Sequence, residues 1–137
     1  MSQEQASIAD EEIRALVQAA HAAQSDVDAL MRLHTESVSI INFGGRRLFG
    51  RDTFRGAMVQ ALSSDLRDVP TSVTVDRIEL LADRAAVVSC TKTVHDQRGP
   101  NNHARLPGTL GMLTYVVVKG AAGWRIASAQ TTPVAGS

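Results

Sequence analysis

Several ingredients are scarce in this sequence, and each shortage excludes a class of protein. One cysteine among 137 residues, Cys90, rules out an internal disulfide framework and a metal site built from several cysteines. The 14 basic and 14 acidic side chains cancel, and aromatic residues make up 4%, so the chain lacks a basic, aromatic-lined surface for nucleic acid and a net charge that would attract an anionic membrane. No apolar run approaches the roughly 20 residues that a membrane-spanning helix requires. We therefore expect neither nucleic acid nor a membrane as a partner.

Acidic side chains are also missing from the end of the chain. All 14 lie within residues 1–96, whereas residues 97–137 contain basic residues and no acid. A carboxylate catalyst on the last two predicted strands is therefore excluded. A general base must be a histidine or an acid from the first part of the chain, such as Asp76.

Motifs for metals and cofactors are absent as well. The four histidines include no HxH or HExxH spacing, so we expect no metal site. A GxGxxG motif after a strand and a CxxC motif are both missing, so we expect no cofactor. A Ser-His-Asp triad is not excluded by composition, but no nucleophile-elbow motif is present.

What remains is the composition of an ordinary globular protein. Hydrophobic residues make up 44% of the chain and charged residues 20%, and the length suits a single domain over residues 1–137. Residues 1–10 are polar and acidic, unlike a signal peptide, so we expect the protein in the cytoplasm.

Three helices are predicted in the first half of the chain. Apolar residues at i, i+3, i+4 and i+7 predict a helix over residues 8–24, with Ser7 as its cap. A second helix is predicted to begin at Ser25, and the same spacing puts His34 at the end of its inner face. A third helix is predicted to begin at Asp52.

Strands follow these helices along the chain. They are predicted over residues 37–43, 46–50, 72–81, 85–95, 106–119 and 124–132, with a loop at 98–102 and a loose tail at 133–137. Gly44 and Gly45 predict a two-residue hairpin, and a change of apolar phase in the third strand predicts a bulge near Asp76. Helices followed by a run of strands are typical of the α+β class.

The strand over residues 106–119 predicts an assembly. Its segment 113–118 is apolar on both faces, and three helices cover only one face of the sheet. We therefore expect a homodimer that packs through the outer face of the sheet.

Three segments carry a resemblance to a known family. They are VSIIN at 38–42, LFGRD at 48–52, which opens the third helix, and GWRIASAQTT at 123–132. Together with the helix pair they resemble the SnoaL-like branch of the nuclear-transport-factor-2-like superfamily over about residues 8–134. Within that branch the chain is most similar to the SgcJ/EcaC group, whose namesake is associated with enediyne antibiotic biosynthesis.

The resemblance implies a conical, cystatin-like half-barrel. A curved, antiparallel-rich sheet would wrap three N-terminal helices and leave a pocket at its open end. Members of the superfamily include ketosteroid isomerase, scytalone dehydratase, polyketide cyclases and plain binding modules, and the enzymes place one Asp or His inside the cone as a base. The implied ligand is an apolar polyketide or polyene intermediate that undergoes proton transfer, cyclisation or isomerisation.

His34 is the first candidate for a catalytic side chain, with Asp76 as the acid that the charge distribution leaves available. Its helical position puts His34 where such a cone would open, and imidazole titrates near neutral pH. The alternative is a histidine that bonds backbone carbonyls at the end of a helix.

Neutral polar side chains form the second set of candidates. If Val38 and Ile40 face inward, period two turns Asn42 inward, and the same rule applied to Trp124 brings Gln130 and Thr132 inside. Amides and hydroxyls among apolar residues orient a ligand carbonyl or hydroxyl. The alternative is that they satisfy one another or nearby backbone.

The strand over residues 85–95 carries a polar row whose direction the sequence leaves open. Thr91, Thr93 and His95 share one face, and Thr114 on the next strand has the same ambiguity. If the row faces inward, these four side chains bind the ligand. If it faces outward, they form a solvated sheet face.

The sequence thus leaves three functions open. The first is an enzyme that acts on an apolar small molecule, and the second is a non-catalytic accessory protein that binds or sequesters one. The third is a dimerisation module whose interior is filled by its own side chains.

Overall fold

Two helices come first in the chain, and a third helix lies between the second and third of the strands that follow. The computed structural model describes residues 2–64, 69–95 and 109–137. The helices in these ranges are α1 (Gln3–Ala22), α2 (Val27–Arg32) and α3 (Arg51–Leu62). The strands are β1 (His34–Ile41), β2 (Arg47–Phe49), β3 (Thr71–Ala82), β4 (Ala85–Val94), β5 (Leu110–Gly120) and β6 (Gly123–Pro133).

These strands form one curved, unclosed sheet in the order β2-β1-β6-β5-β4-β3. Neighbouring strands are antiparallel, except that β1 runs parallel to β6. This confirms the predicted α+β class and the cystatin-like arrangement of a bent sheet with N-terminal helices. None of the helices in the described ranges is both long and apolar enough to cross a membrane.

The core lies between the helices and the concave face of the sheet. The predicted stripe of α1 is buried, with Ile13 fully inaccessible and Leu16 nearly so. It meets sheet residues that are also inaccessible, such as Val38, Val88 and Ile126. Burial of this apolar area is what holds the helices on the sheet.

The helices begin at other residues than predicted. Ser2 caps α1 in a capping box with Gln5, where Ser7 was expected, because the first turns of α1 are exposed and carry no apolar spacing to mark them. Asp26, not Ser25, caps α2 through a bond from the Ala29 N–H. Helix α3 begins after Gly50 with no side-chain cap, and Asp52 lies inside its first turn.

The second helix ends earlier than the spacing predicted. The Leu33 N–H closes a tight turn onto Leu30 O at 3.1 Å, and Leu33 O accepts from the Ile126 N–H at 2.8 Å. Because the backbone pairs with β6 from this point, His34 is the first residue of β1 and not the last residue of the helix.

The glycine hairpin is longer than predicted. Its loop runs from Asn42 to Arg46, whose backbones are paired by a 3.0 Å bond, and only Gly45 takes a positive φ, of 86°. The extra length turns Phe43 back over the sheet, where it is buried against Gly111. A two-residue turn would not have placed this ring there.

Two bulges change which side chains face inward. The predicted one in β3 is confirmed, since Val75 pairs with Cys90 and Arg77 with Ser89. A second, in β6, was not predicted: Ser128 pairs with Val116 and Ile126 with Val117, so three residues of β6 span two rungs.

The chain end is held more firmly than expected. Ser137 Oγ accepts from the N–H groups of Thr109 and Leu110, and the Val134 N–H donates to Leu110 O, so the prediction of a loose tail is wrong. Three parts of the chain discussed above lie outside the described residues. They are the predicted loop at 98–102, His103 directly after it, and the start of the predicted strand at 106–108.

Candidate functional site

A cavity of about 310 Å³ opens between the concave face of the sheet and the helices. Its walls are mainly apolar; they include Leu30, Ile40, Phe43, Phe54, Met58 and Leu113. The polar side chains among the described residues that line it include His21, Gln24, His34, Asn42, Lys92, Tyr115 and Thr131. A volume of this size is at the lower end for small-molecule sites, and the mixture of apolar walls with a few polar groups is typical of them.

His34 is fixed in the cavity wall by the end of α2. Its side chain is 3% exposed, and Nδ1 lies 2.8 Å from Leu30 O. A carbonyl only accepts hydrogen bonds, so Nδ1 carries the hydrogen and Nε2 keeps a lone pair. The ring of Phe54 packs edge-on at 4.8 Å and holds the imidazole plane.

The charge state of His34 follows from this burial. Desolvation lowers the pKa of His34 and the positive charge of Arg51 lowers it further, while the bond to Leu30 O acts in the opposite direction. The imidazole is therefore neutral at neutral pH. The predicted bond to a backbone carbonyl at the end of a helix is therefore present at Nδ1, and Nε2 has no hydrogen-bond partner among the described residues.

Lys92 brings a positive charge to the same cavity. It lies on the concave face of β4, between the buried Cys90 and Val94, and its Nζ is 6.0 Å from the centroid of the Phe43 ring. Burial lowers the pKa of Lys92. Among the described residues that line the cavity there is no carboxylate to oppose this charge.

Tyr115 supplies a hydroxyl deeper in the wall. It lies on β5 opposite Val88, and burial, aided by the nearby Cys90, raises the pKa of Tyr115 far above neutral pH. The phenol therefore stays protonated and can donate a hydrogen bond. Thr131, 8% exposed, adds a hydroxyl side chain from β6.

The rim on the α1 side is a chain of hydrogen bonds. Gln24 Nε2 donates to His21 Nδ1 at 2.6 Å, and Thr71 Oγ1 donates to Gln24 Oε1 at 2.8 Å. Because an amide nitrogen only donates, Nδ1 of His21 is the accepting nitrogen. This chain ties the end of α1 to the start of β3 at the mouth of the cavity.

Of the residues predicted for the site, the structure brings His34 and Asn42 to the cavity. Asn42 Oδ1 is already used, since it accepts from the Arg46 N–H at 2.9 Å and so shapes the hairpin. Only its amide nitrogen remains for a ligand.

The polar row of β4 faces outward. Thr91 Oγ1 donates to Asp76 Oδ2 at 2.6 Å, and His95 Nε2 lies 3.0 Å from Ser72 Oγ, both pairs at the exposed face. Of the two directions that the sequence left open for Thr91, Thr93 and His95, the structure therefore shows the outward one, in which they do not line the cavity. The prediction of an Asp76 base inside the cone is wrong, because this carboxylate bonds Thr91 at the exposed face. The apolar residues that alternate with these polar ones along β4 are buried in the core, and this turns the polar side chains to the outer face of the sheet.

Candidate ligand-binding residues on β5 and β6 also face away from the cavity. On β5, buried Leu113 and cavity-lining Tyr115 leave Thr114 exposed on the outer face. On β6, the bulge shifts the inner positions from Ile126 to Ala129 and Thr131, so Gln130 and Thr132 are exposed. The inward orientation predicted for Gln130 and Thr132 is therefore wrong, and Thr114, whose direction the sequence left open, faces outward.

Polar residues of the cavity that were not predicted from the sequence include Lys92, Tyr115 and Thr131. A signal existed for Lys92, which interrupts the otherwise apolar series Val88, Cys90, Val94 on one face of its strand. For Thr131 the signal was hidden by the bulge. Within the described ranges, no three His, Cys, Asp or Glu side chains are grouped so that they could hold a metal ion.

Comparison with known proteins gives a family and a fold. The family model described as SnoaL-like domain matches residues 13–135. No curated protein matches the chain. Among solved structures, an uncharacterized protein with a cystatin-like fold from Caulobacter vibrioides is similar, with a TM-score of 0.80 and 20% identity over 93% of this chain and 90% of that one.

Two other solved structures carry functional names. A ketosteroid isomerase-like protein from Erwinia carotovora atroseptica has a TM-score of 0.69 and 17% identity over 98% of this chain and 99% of its own. A candidate dehydratase of the NTF2-like family from Streptomyces avermitilis has a TM-score of 0.70 and 19% identity over 93% of this chain and 97% of its own. At such identities the likeness shows the fold alone.

Proposed function

Because the chain belongs to the SnoaL-like domain family, we propose that its cavity binds an apolar, partly oxygenated small molecule and that His34 assists a proton transfer in it. One observation carries the proposal. The 2.8 Å bond from Nδ1 to Leu30 O fixes the imidazole tautomer and leaves Nε2, unprotonated, as the nitrogen that a ligand can meet in an apolar cavity.

The names of two structural neighbours support a proton-transfer reaction. Isomerisation of a ketosteroid and dehydration of a hydroxy compound both require removal of a proton by a base held in an apolar site. In this chain His34 Nε2 would accept that proton. Tyr115, held protonated, would donate a hydrogen bond to the substrate oxygen on which negative charge develops.

The substrate class and setting are narrower proposals. We assign the protein to natural-product biosynthesis of the enediyne type, where its ligand is a polyketide or polyene intermediate. The three segments that resemble the SgcJ/EcaC group and the apolar cavity wall support this assignment. A cytoplasmic location is consistent with the single cysteine, which is buried and free.

A test of the reaction uses a substrate that fits a small cavity. 3-Cyclohexen-1-one isomerises to 2-cyclohexen-1-one by loss of a proton at C2 and its return at C4, and the conjugated product is followed by ultraviolet absorbance. We expect the protein to accelerate this conversion and His34→Gln to slow it by roughly a hundredfold or more. Gln keeps an amide donor for Leu30 O but provides no base.

Matched measurements separate chemistry from binding. His95→Gln is the control, because His95 lies outside the cavity on the exposed face. Affinity for 2-naphthol, a neutral aromatic alcohol, is measured on all three proteins by calorimetry and should change little in His95→Gln. Turnover that survives in His34→Gln, or falls equally in His95→Gln, contradicts the catalytic role.

Non-catalytic binding is the second candidate function. It is favoured by the lack of carboxylates among the described cavity residues, so that His34 has no acid to orient it or to share the proton. In that case the cavity binds 2-naphthol while no cyclohexenone is converted. A dimerisation module with a filled interior is disfavoured by the cavity of about 310 Å³.

A further inference from the structure

We propose that the ligand of this cavity is a small monocarboxylic acid with an apolar body, and that Lys92 binds its carboxylate. The inference rests on the proposed small-molecule function and adds the charge and class of the ligand. It starts from a side chain that neither the proposed proton transfer nor the fold requires.

The backbone of β4 directs Lys92 toward the cavity. Its neighbours on the concave face, Cys90 and Val94, are buried, and the alternating residues on the other face include Thr91, which bonds Asp76 at the exposed surface. The ammonium group lies 6.0 Å from the Phe43 ring centroid, which gives it a weak cation–π contact. Within the described ranges it makes no hydrogen bond. The strand therefore holds a positive charge against an apolar wall.

This charge has no counterion in the described part of the chain. The ion pairs there join exposed side chains, including Lys119 with Glu12 at 3.6 Å, and none includes Lys92. Lys92 is half-buried, and a cation that is partly withdrawn from water without a partner destabilises the folded state, which is why burial lowers the pKa of Lys92. An anionic ligand would relieve this destabilisation, whereas a neutral ligand would bury the charge further.

The cavity walls favour a ligand that has one negative charge and is otherwise apolar. Lys92 is the only lysine or arginine among the described residues that line the cavity. A phosphate or a dicarboxylate would bring a second charge that the apolar wall cannot match. One carboxylate on one ammonium leaves the rest of the ligand to contact residues such as Leu113 and Met58.

The pairing of β4 with β5 sets the distance between Lys92 and Tyr115 along the cavity wall. Lys92 pairs with Gly111 and Val88 pairs with Tyr115, so the two side chains start four residues apart along the strands, or about 13 Å at the usual rise. A ligand would therefore carry its carboxylate near the Phe43 end and any hydroxyl or carbonyl toward Tyr115 and His34. The molecule we infer is an apolar acid with its second oxygen at the far end.

Matched acids and amides test this inference. Octanoate against octanamide, and 2-naphthoate against 2-naphthamide, have nearly the same shape and differ in charge. We expect the protein to bind each acid roughly tenfold or more tighter than its amide at neutral pH, as calorimetry measures it. That preference should fall to within about twofold in Lys92→Met and be largely kept in Lys92→Arg.

The second lysine of the chain provides the control. Lys119→Met removes an equal charge outside the cavity and should leave the preference for acids unchanged. If Lys92→Met does not fold, the wild-type protein still decides the matter. Reductive methylation with carbon-13 gives separate NMR signals for the two lysines, and octanoate should raise the pKa of Lys92, with the Lys119 signal as the internal reference.

The outcomes distinguish this inference from the function on which it rests. Acids and amides that bind equally well, or an octanoate complex in which the Lys92 pKa does not rise, would falsify the carboxylate assignment and leave small-molecule binding intact. If neither acids nor amides bind and 2-naphthol also fails, the proposed function itself is wrong.

Discussion

At the scale of single residues, His34 shows why a helical pattern can continue past the end of a helix. The spacing from Leu30 and Met31 predicted a side chain on the inner face of α2, and the backbone instead enters β1 at that residue. The side chain nevertheless returns to Leu30 O, four residues earlier, as a helical neighbour would. The alternative predicted for His34, a bond to a backbone carbonyl at the end of the helix, is therefore confirmed, although His34 belongs to β1 and not to the helix.

The lowered pKa of His34 leads to a prediction about acid stability. In the unfolded chain this histidine binds its proton near pH 6.5, and in the folded protein only at a lower pH. As pH falls from 7.5 through this interval the unfolded state binds the proton first, so the free energy of unfolding should decrease. Urea unfolding at pH 7.5 and 5.5 measures the decrease.

The variant His34→Gln isolates the contribution of this residue. Glutamine does not titrate and keeps a donor for Leu30 O, so the variant should lose less stability between the two pH values than the wild type. Asp28, whose pKa is held low by Arg55, begins to contribute only nearer pH 3.8. An equal decrease in both proteins would show that His34 is not the group that titrates.

At the scale of elements, the sequence predicts the bulge in β3 but not the bulge in β6. In β3 the residues on either side of the bulge are Val75 and Ile78, and large apolar side chains mark the change of phase. In β6 the corresponding stretch is Ile126 to Ala129 with only small residues between, which fit either face. Alternation could not locate that bulge, and so it assigned Gln130 to the wrong face.

Close packing of β5 against the hairpin gives a prediction for a glycine. A Cβ on Gly111 would lie 2.9 Å from the Phe43 ring and 2.9 Å from Thr131 Cγ2. Gly111→Ala must displace the ring that contacts Lys92, and overpacking of this kind lowers the free energy of unfolding by about 1–3 kcal/mol. Thermal or urea unfolding measures the loss.

Gly120 provides the matched control at the other end of β5. A Cβ there meets no atom within 4 Å, so Gly120→Ala should leave the free energy of unfolding nearly unchanged. Acid binding should weaken in Gly111→Ala alone, because the displaced ring no longer faces Lys92. Equal unfolding curves for the two variants would mean that the hairpin moves freely aside.

At the scale of the whole molecule, the order of elements predicted the architecture but not the cavity. Helices followed by strands gave the class, and the three resembling segments gave the half-barrel. The cavity depends on two features that leave no clear pattern in the sequence. One is the β6 bulge, which decides which side chains of that strand face inward, and the other is the five-residue hairpin loop that positions Phe43. Thus the fold was predictable, whereas most of the polar groups of the site were not.

The outer face of the sheet bears on the predicted homodimer. On β5, Val116 and Val118 alternate with buried Val117 and so point outward, and Met112 is 46% exposed on the same strand. Val116 stands beside Val87 and Ser128, so its direct neighbours carry no charge, and the nearest charged residues of this face, Glu79 and Arg125, pair with Val87 and Val118. We propose that a second copy of the chain covers this face.

We predict that the protein sediments as a dimer at micromolar concentration and that Val116→Asp converts it to a monomer. The variant places one carboxylate of each copy in the apolar centre of the contact, where it loses water without gaining a partner. Val59→Asp, on α3 at a site 51% exposed, adds the same charge away from the sheet and should remain dimeric. Analytical ultracentrifugation of the three proteins decides between the possibilities, and a monomeric wild type or a dimeric Val116→Asp contradicts an interface at this face.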